Sequence, residues 1–272
     1  MLLLDLVNGE RTRLCDTGGN KPALVLVHGL ANSIEIWDRV IPRLARRFRI
    51  IAFDLPGFGA ASRPDAIYDA AFFADQLLAL MDTLGLPRAH FVGNSLGASV
   101  IVRLSDRALD RIDRVVLAAP GGFGRRTHPL MRLPALPLIG YQLGRPTSFN
   151  NALTLKLAMH DPAQVTPALL QLINRYARVP GSHRSFVRTL QTGVGVFGSK
   201  DRASVERIAA RLDRPALVVW GRQDRVFPPA YAERAMALLP QPRLCLIDRC
   251  GHYPHWEQPD VFAAAVEGFL TQ

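Results

Sequence analysis

A chain of 272 residues with 49% hydrophobic content is long enough to bury one large core as a single domain. No apolar stretch approaches the ~18 residues that span a bilayer, and Met1-Leu2-Leu3-Leu4-Asp5 meets an acid before any basic leader forms, against a signal peptide. The formal charge of +10 raises the question of an anionic partner, while three cysteines (Cys15, Cys245, Cys250), odd in number and without ligand spacing, argue against a disulfide framework and point to a reducing cytoplasm.

The first elements read as strands. Leu2–Val7 and Glu10–Cys15 flank Asn8-Gly9, the dipeptide that favours a two-residue hairpin turn. Ala23–Val27 follows as a buried strand. Ser33–Arg46 then has a helical pattern, with Ser33 as cap, Glu35 in the first turn and arginines at the end. Arg49–Phe53, His90–Gly93 and Val115–Ala118 are further short apolar runs, alternating with helical stretches at Tyr68–Leu84 and Leu96–Ala108. Such alternation implies βαβ crossovers and a parallel sheet covered on both faces.

The rhythm breaks after Pro120-Gly121-Gly122-Phe123-Gly124. Residues 125–200 offer no convincing strand: they begin rich in proline (Pro129, Pro134, Pro137, Pro146) and continue with helices near Phe149–Met159, Pro167–Ala177 and His183–Gln191. Thr166-Pro167 is a good helix start, because proline at the first helical position loses no needed hydrogen bond. Strand–helix alternation resumes at Ala216–Trp220, Pro229–Leu238, Arg243–Ile247 and Val261–Leu270. The expectation is one sheet domain, residues 1–121 and 201–272, with a helical cap at 122–200 inserted after the sixth strand.

The charge belongs to that insertion. Residues 121–200 hold ten basic side chains against one acid, Asp161, whereas the other 192 residues are nearly balanced. An arginine-rich solvated surface accounts for this as well as function does; no aromatic platform or basic recognition helix accompanies it, so nucleic acid is not an expected partner.

Phe91-Val92-Gly93-Asn94-Ser95-Leu96-Gly97-Ala98 sets a serine in a G-x-S-x-G frame between a strand and a helix, where the chain must turn sharply and a larger residue at Gly93 or Gly97 would collide with backbone. Three other segments each end a strand-like run: Val27-His28-Gly29-Leu30, Gly221-Arg222-Gln223-Asp224 and Cys250-Gly251-His252. With these motifs in this order the chain resembles the α/β-hydrolase fold serine hydrolases over essentially its whole length, the cap matching only in being helical. The resemblance implies a mostly parallel eight-stranded sheet with helices on both faces, Ser95 as nucleophile, Asp224 as acid and His252 as base. A serine hydroxyl needs such a base, and the acid holds the imidazole in the right tautomer.

Leu30 and Leu96 are the expected backbone donors to the oxyanion. His28, Gly29, Asn94, Phe123 and Tyr253 are candidate substrate contacts, although His28 also suits the ordering of its own turn. Phe53-Asp54-Leu55-Pro56-Gly57-Phe58-Gly59 resembles a family loop, with one residue more before Ser62 than is usual; Asp54 is expected to organise loops. His255 is assigned a surface or packing role and Asp248 a loop anchor. No metal or cofactor is implied.

A serine at position 95 disfavours the relatives in which aspartate attacks. Two reactions remain. One is hydrolysis of a small carboxylic ester, apolar or anionic, with Leu133, Leu136, Leu138, Ile139, Tyr141, Phe149 and Phe186 of the cap forming an apolar acyl pocket. The other is C–C bond hydrolysis of a vinylogous diketo acid. For that reaction Pro120–Gly124, Gly93-Asn94-Ser95 and Cys250-Gly251-His252 resemble the meta-cleavage product hydrolases, with Arg175, Arg178 or Arg188 as candidate carboxylate ligands. Two departures from that pattern are Leu30-Ala31-Asn32-Ser33 in the first loop and Tyr253 where a tryptophan is usual. The sequence favours the ester; a non-catalytic ligand-binding protein is the reading from another class, and the intact triad speaks against it.

Overall fold

The computed structural model describes residues 1–136, 138–195 and 198–272; Pro137, counted above among the cap prolines, lies outside them. An eight-stranded sheet forms its centre, in the order β1-β2-β4-β3-β5-β6-β9-β10. The strands β1 (Leu2–Asp5), β2 (Arg11–Asp16), β3 (Ala23–Val27), β4 (Arg49–Phe53), β5 (Ala89–Asn94) and β6 (Ile112–Ala118) precede the helical insertion. Two more strands follow it, β9 (Ala216–Gly221) and β10 (Pro242–Ile247). Within this sheet, among the described residues, only β1–β2 and β2–β4 pair antiparallel. The parallel strands β3, β4, β6 and β9 are rich in valine, leucine and isoleucine, as strands buried on both faces require.

On one face pack α2 (Ala70–Thr83), α3 (Leu96–Ala108), α9 (Arg202–Ala209) and α10 (Ala230–Leu238); on the other the single turn α1 (Ile41–Leu44) and the last helix, Pro259–Leu270. Alternate side chains of one strand serve both layers: Val25 and Val27 enter the first core, Leu24 and Leu26 the second. Between β6 and β9 lie α4 (Pro129–Arg132), α5 (Gly140–Leu143), α6 (Ser148–Ala158), α7 (Pro167–Ala177) and α8 (Ser182–Gly193). Thr147 and Thr166 cap α6 and α7 by accepting from the Asn150 and Leu169 amides.

Three local expectations are corrected. The Asn8-Gly9 turn is not a two-residue hairpin: Leu6–Glu10 join the strands, closed by Leu6 N–H donating to Glu10 O at 2.7 Å. Contacts with α2 outweigh the tight turn, since Asn8 Nδ2 donates to Gln76 Oε1 and Val7 N–H to Thr83 Oγ1. Ser33–Arg46 is not one helix but a 3-10 turn, Ile34–Trp37, followed by α1. Pro42 offers no amide to continue a helix from the first turn, and the Ile34 N–H is capped by Asp54 Oδ1, not by Ser33. Within the insertion a two-residue pair, β7 (Val194–Gly195) with β8 (Gly198–Ser199), stands where no strand was expected.

Candidate active site

Ser95 sits between the last residue of β5 and the first of α3 with φ +56° and ψ −113°. A non-glycine residue held there costs ~1–3 kcal/mol, sustained by its surroundings. Its N–H donates to Ala118 O at 2.9 Å and its carbonyl accepts from the Ser99 amide at 3.2 Å. The flanking glycines make the turn possible. A Cβ on Gly93 would lie 2.6 Å from the Ala98 nitrogen, and one on Gly97 2.1 Å from the Val27 carbonyl oxygen.

At the neighbouring sheet edge β9 and β10 run parallel in register up to Ile247 opposite Gly221, so the loops after them leave at one level. Gln223 ties the two loops, its amide donating to Cys250 O at 2.9 Å and its Oε1 accepting from the Cys250 amide at 3.0 Å. A Cβ on Gly221 would lie 2.1 Å from Gly251 O, which explains how close the loops run. This places His252 Nδ1 2.8 Å from Asp224 Oδ2, with both side chains buried. Asp224 Oδ1 accepts from the Val226 and Phe227 amides, which fixes the carboxylate. A carboxylate facing Nδ1 keeps the proton there and leaves Nε2 as the basic nitrogen.

Ser95 and His252 line one cavity of about 580 Å³, with Gly29, Leu30, Leu96 and Tyr253. Leu96 begins α3, where helix geometry leaves the amide without an intrahelical acceptor. Leu30 precedes Ala31, whose φ of +57° belongs to a tight turn.

Three candidate substrate contacts do not reach this cavity. His28 is fully buried; its Nε2 accepts from the Leu55 amide and its Nδ1 lies 2.8 Å from Gly29 O, while burial pushes its pKa down. It orders its own turn. Asn94 is also fully buried, its Nδ2 donating to His252 O at 3.0 Å, so it braces the base from behind. Phe123 is a core residue. Tyr253 does face the cavity, and its hydroxyl accepts from Asn32 Nδ2 at 3.3 Å.

The expected acyl pocket is corrected as well. Leu138, Ile139, Tyr141 and Phe149 are exposed, Leu138 at 98%, and Leu136 lines neither cavity. Leu133 borders a second cavity, of about 160 Å³, and of the seven residues expected to form the pocket Phe186 alone borders both. Arg175, Arg178 and Arg188 do not line the main cavity; Arg188 pairs with Asp65, and Arg175 lies over the Tyr176 ring. The cavity's own cations are Arg103 and Lys200. Arg103 was legible, because Ser95, Ser99 and Arg103 stand four residues apart along one helix face. Lys200, on the loop after β8, had no such signal.

Asp54 organises loops as expected, accepting from Arg13, the Ile34 amide and the Ala60 amide. His255 packs: it is fully buried against Trp37, with ring centroids 4.2 Å apart, and burial pushes its pKa down to about 3. Asp248 pairs with Arg222. Glu257, which the sequence did not single out, is a buried carboxylate accepting from the Gly251 and His160 amides, and burial raises its pKa.

A profile described as the alpha/beta hydrolase fold matches residues 22–259. The chain belongs to the α/β-hydrolase fold family. It is a hydrolase. It is 31% identical to a 2-hydroxy-6-oxononadienedioate/2-hydroxy-6-oxononatrienedioate hydrolase of Paraburkholderia phymatum, over 96% of this chain and 91% of the relative. It is 29% identical to a 2-hydroxymuconate semialdehyde hydrolase of a Pseudomonas species, over 97% and 92%. Among solved structures, the meta-cleavage product hydrolase of Pseudomonas fluorescens IP01 superposes with a TM-score of 0.83 at 27% identity, covering 100% of this chain and 97% of that one. No helix among the described residues is long and apolar enough to cross a membrane.

Proposed function

We propose that this hydrolase cleaves a C–C bond beside a ketone in a conjugated keto acid, with Ser95 as nucleophile, His252 as base, Asp224 as its partner and residues 122–200 as a cap over the site. This reverses the preference drawn from sequence alone. The observation that supports the reading is a cation on the wall of the catalytic cavity: Lys200, an exposed lysine whose Nζ donates to Gln191 O and which pairs with no carboxylate among the described residues, lines the cavity that Ser95 and His252 also line. A substrate carboxylate has a partner there. Full-length likeness to relatives named for this reaction supports the choice.

In this scheme Ser95 Oγ adds to the ketone carbon while His252 Nε2 takes its proton. The oxyanion meets the Leu30 and Leu96 amides, donors already oriented at no cost in reorganisation. The dienol substrate reacts as its keto tautomer, in which the hydroxyl proton has moved to the carbon beside the ketone. Collapse breaks the C–C bond at that saturated carbon, the electron pair passes through the neighbouring C=C into the 2-oxo group, and the dienolate takes the proton held by His252 and leaves as the dienol. Water, deprotonated by His252, then hydrolyses the acyl-Ser95 ester and releases a carboxylic acid. The leaving carbanion is tolerable only because conjugation spreads its charge.

Ester hydrolysis is the second reading. Its specific support is Tyr253 where the C–C hydrolases have tryptophan, together with the absence from the cavity of the cap arginines expected to bind a carboxylate. The two are separated by supplying 2-hydroxy-6-oxo-6-phenylhexa-2,4-dienoate and a series of p-nitrophenyl esters to the parent and to Ser95→Ala. Ser95-dependent bleaching of the dienoate at higher kcat/KM than any ester supports C–C cleavage; ester turnover alone supports the second reading.

A further inference from the structure

The exposed apolar side chains of this molecule are not scattered. Eight of the fifteen large hydrophobic residues that stand exposed among the described residues fall between positions 130 and 153, with Leu138 at 98%, Phe149 at 75% and Ile139 at 55%. Single exposed apolar residues are ordinary; a cluster of this kind marks a contact surface. Members of the cluster surround the second cavity, which Leu130, Leu133, Leu143 and Leu153 line together with the exposed Arg145. On α6, Phe149, Leu153 and Lys156 follow at spacings of four and three, so they share one face.

The same stretch carries no negative charge. From Arg114 to His160 there is no acidic residue, while Arg125, Arg126, Arg132, Arg145 and Lys156 lie within it. A second copy of this face would oppose like charges, which disfavours self-association. An anionic duplex would match the charge but give the leucines and phenylalanine nothing to cover them. A lipid surface with acidic headgroups satisfies both properties, because apolar side chains enter the headgroup boundary while the cations meet phosphates.

We propose that the face formed by residues 130–136 and 138–156 docks peripherally on anionic lipid surfaces, with Ile139 and Phe149 entering the interface and Arg145 and Lys156 contacting the headgroups. The cavity beneath this face shares Ala31, Thr154 and Phe186 with the catalytic cavity. Docking therefore sets an apolar phase one wall away from Ser95.

The test is co-sedimentation of the full chain with vesicles of phosphatidylcholine alone and of phosphatidylcholine mixed with phosphatidylglycerol, at low and high salt. The expected result is binding to the mixed vesicles only, weakened by salt. Arg145→Gln with Lys156→Gln should lower it about tenfold or more, as expected for two cations at a charged surface. Ile139→Ser with Phe149→Ser should lower it too, without altering p-nitrophenyl acetate hydrolysis, since neither residue lines a cavity. Absence of binding, or equal binding to both vesicles, overturns the proposal. So does sedimentation velocity showing a dimer that Ile139→Ser with Phe149→Ser dissociates, or duplex DNA binding that the charge variants weaken while vesicle binding persists.

Discussion

The sheet end and the cap hold the same cavity by different means. At the sheet end, backbone sterics decide where groups stand: Gly93, Gly97 and Gly221 each approach neighbouring backbone so closely that a methyl group would not fit. In the cap, helices bring side chains together, and which side chain faces inward depends on how each helix is rotated against the core. Position at the sheet end is thus written into the local sequence, and position in the cap is not.

The largest effects should come from the sheet end. Ser95→Ala is expected to reduce kcat by ~10⁴–10⁶, and adding His252→Ala should cost little more, because residues acting as a unit are not additive. Appreciable turnover by Ser95→Ala would place the nucleophile elsewhere. Asp224→Asn should lower kcat by ~10⁴ with the fold intact, since the amide no longer fixes the productive tautomer; steady-state kinetics beside near-UV circular dichroism would check this.

Gly97→Ala tests the steric claim apart from chemistry. A Cβ at 2.1 Å from Val27 O forces β3 and α3 apart, and we expect a loss of about 3 kcal/mol or more in urea unfolding. A loss near zero would show that the turn relaxes and that its glycines are not required.

These expectations follow from what was legible. The G-x-S-x-G turn, the strand ends before Asp224 and His252, and the helices Leu96–Ala108 and Pro167–Ala177 could be read because turn sterics, apolar runs and proline starts act over a few residues. Phe123, Asn94 and His28 lie beside the site in sequence, yet their side chains point into the core. Proximity along the chain does not decide facing. Lys200 escaped because its place arises only when the insertion folds onto the sheet, and Glu257 because its bonds to the Gly251 and His160 amides depend on how the His252 loop and the insertion fold around it. The 33–46 segment misled because Asp54, distant in sequence, caps it.

One of the contacts between the two regions gives a pH prediction. Tyr176 of α7 donates its hydroxyl to Glu35 Oε1 at 3.1 Å, and Glu35 is held bidentately by Arg13. Burial alone would raise the Glu35 carboxyl, but the hydrogen bonds from Arg13 and Ser33 prevail and bring it from 4.5 to about 2. A depressed folded-state pKa stabilises above the unfolded value and is lost as pH falls through the folded one. Stability should therefore decline between pH 4.5 and about 2, and Glu35→Gln should flatten that decline in thermal melts. An unchanged slope would remove Glu35 as its source.

The smallest effects should lie on the cap surface. Phe149→Ala is expected to change stability by less than ~0.5 kcal/mol and to leave ester turnover unaltered. Phe186→Ala, which opens the wall shared by both cavities, should shift the preferred substrate length. Equal effects would mean that the cap's outward and inward faces are not functionally distinct.

The central claim, covalent catalysis on Ser95, is tested most directly by rapid acid quench during turnover of the dienoate, followed by intact-protein and peptide mass spectrometry. The account predicts an added benzoyl mass on the peptide containing Ser95, absent from Ser95→Ala. Substrate turnover with no adduct on that peptide, and persisting in Ser95→Ala, would contradict it.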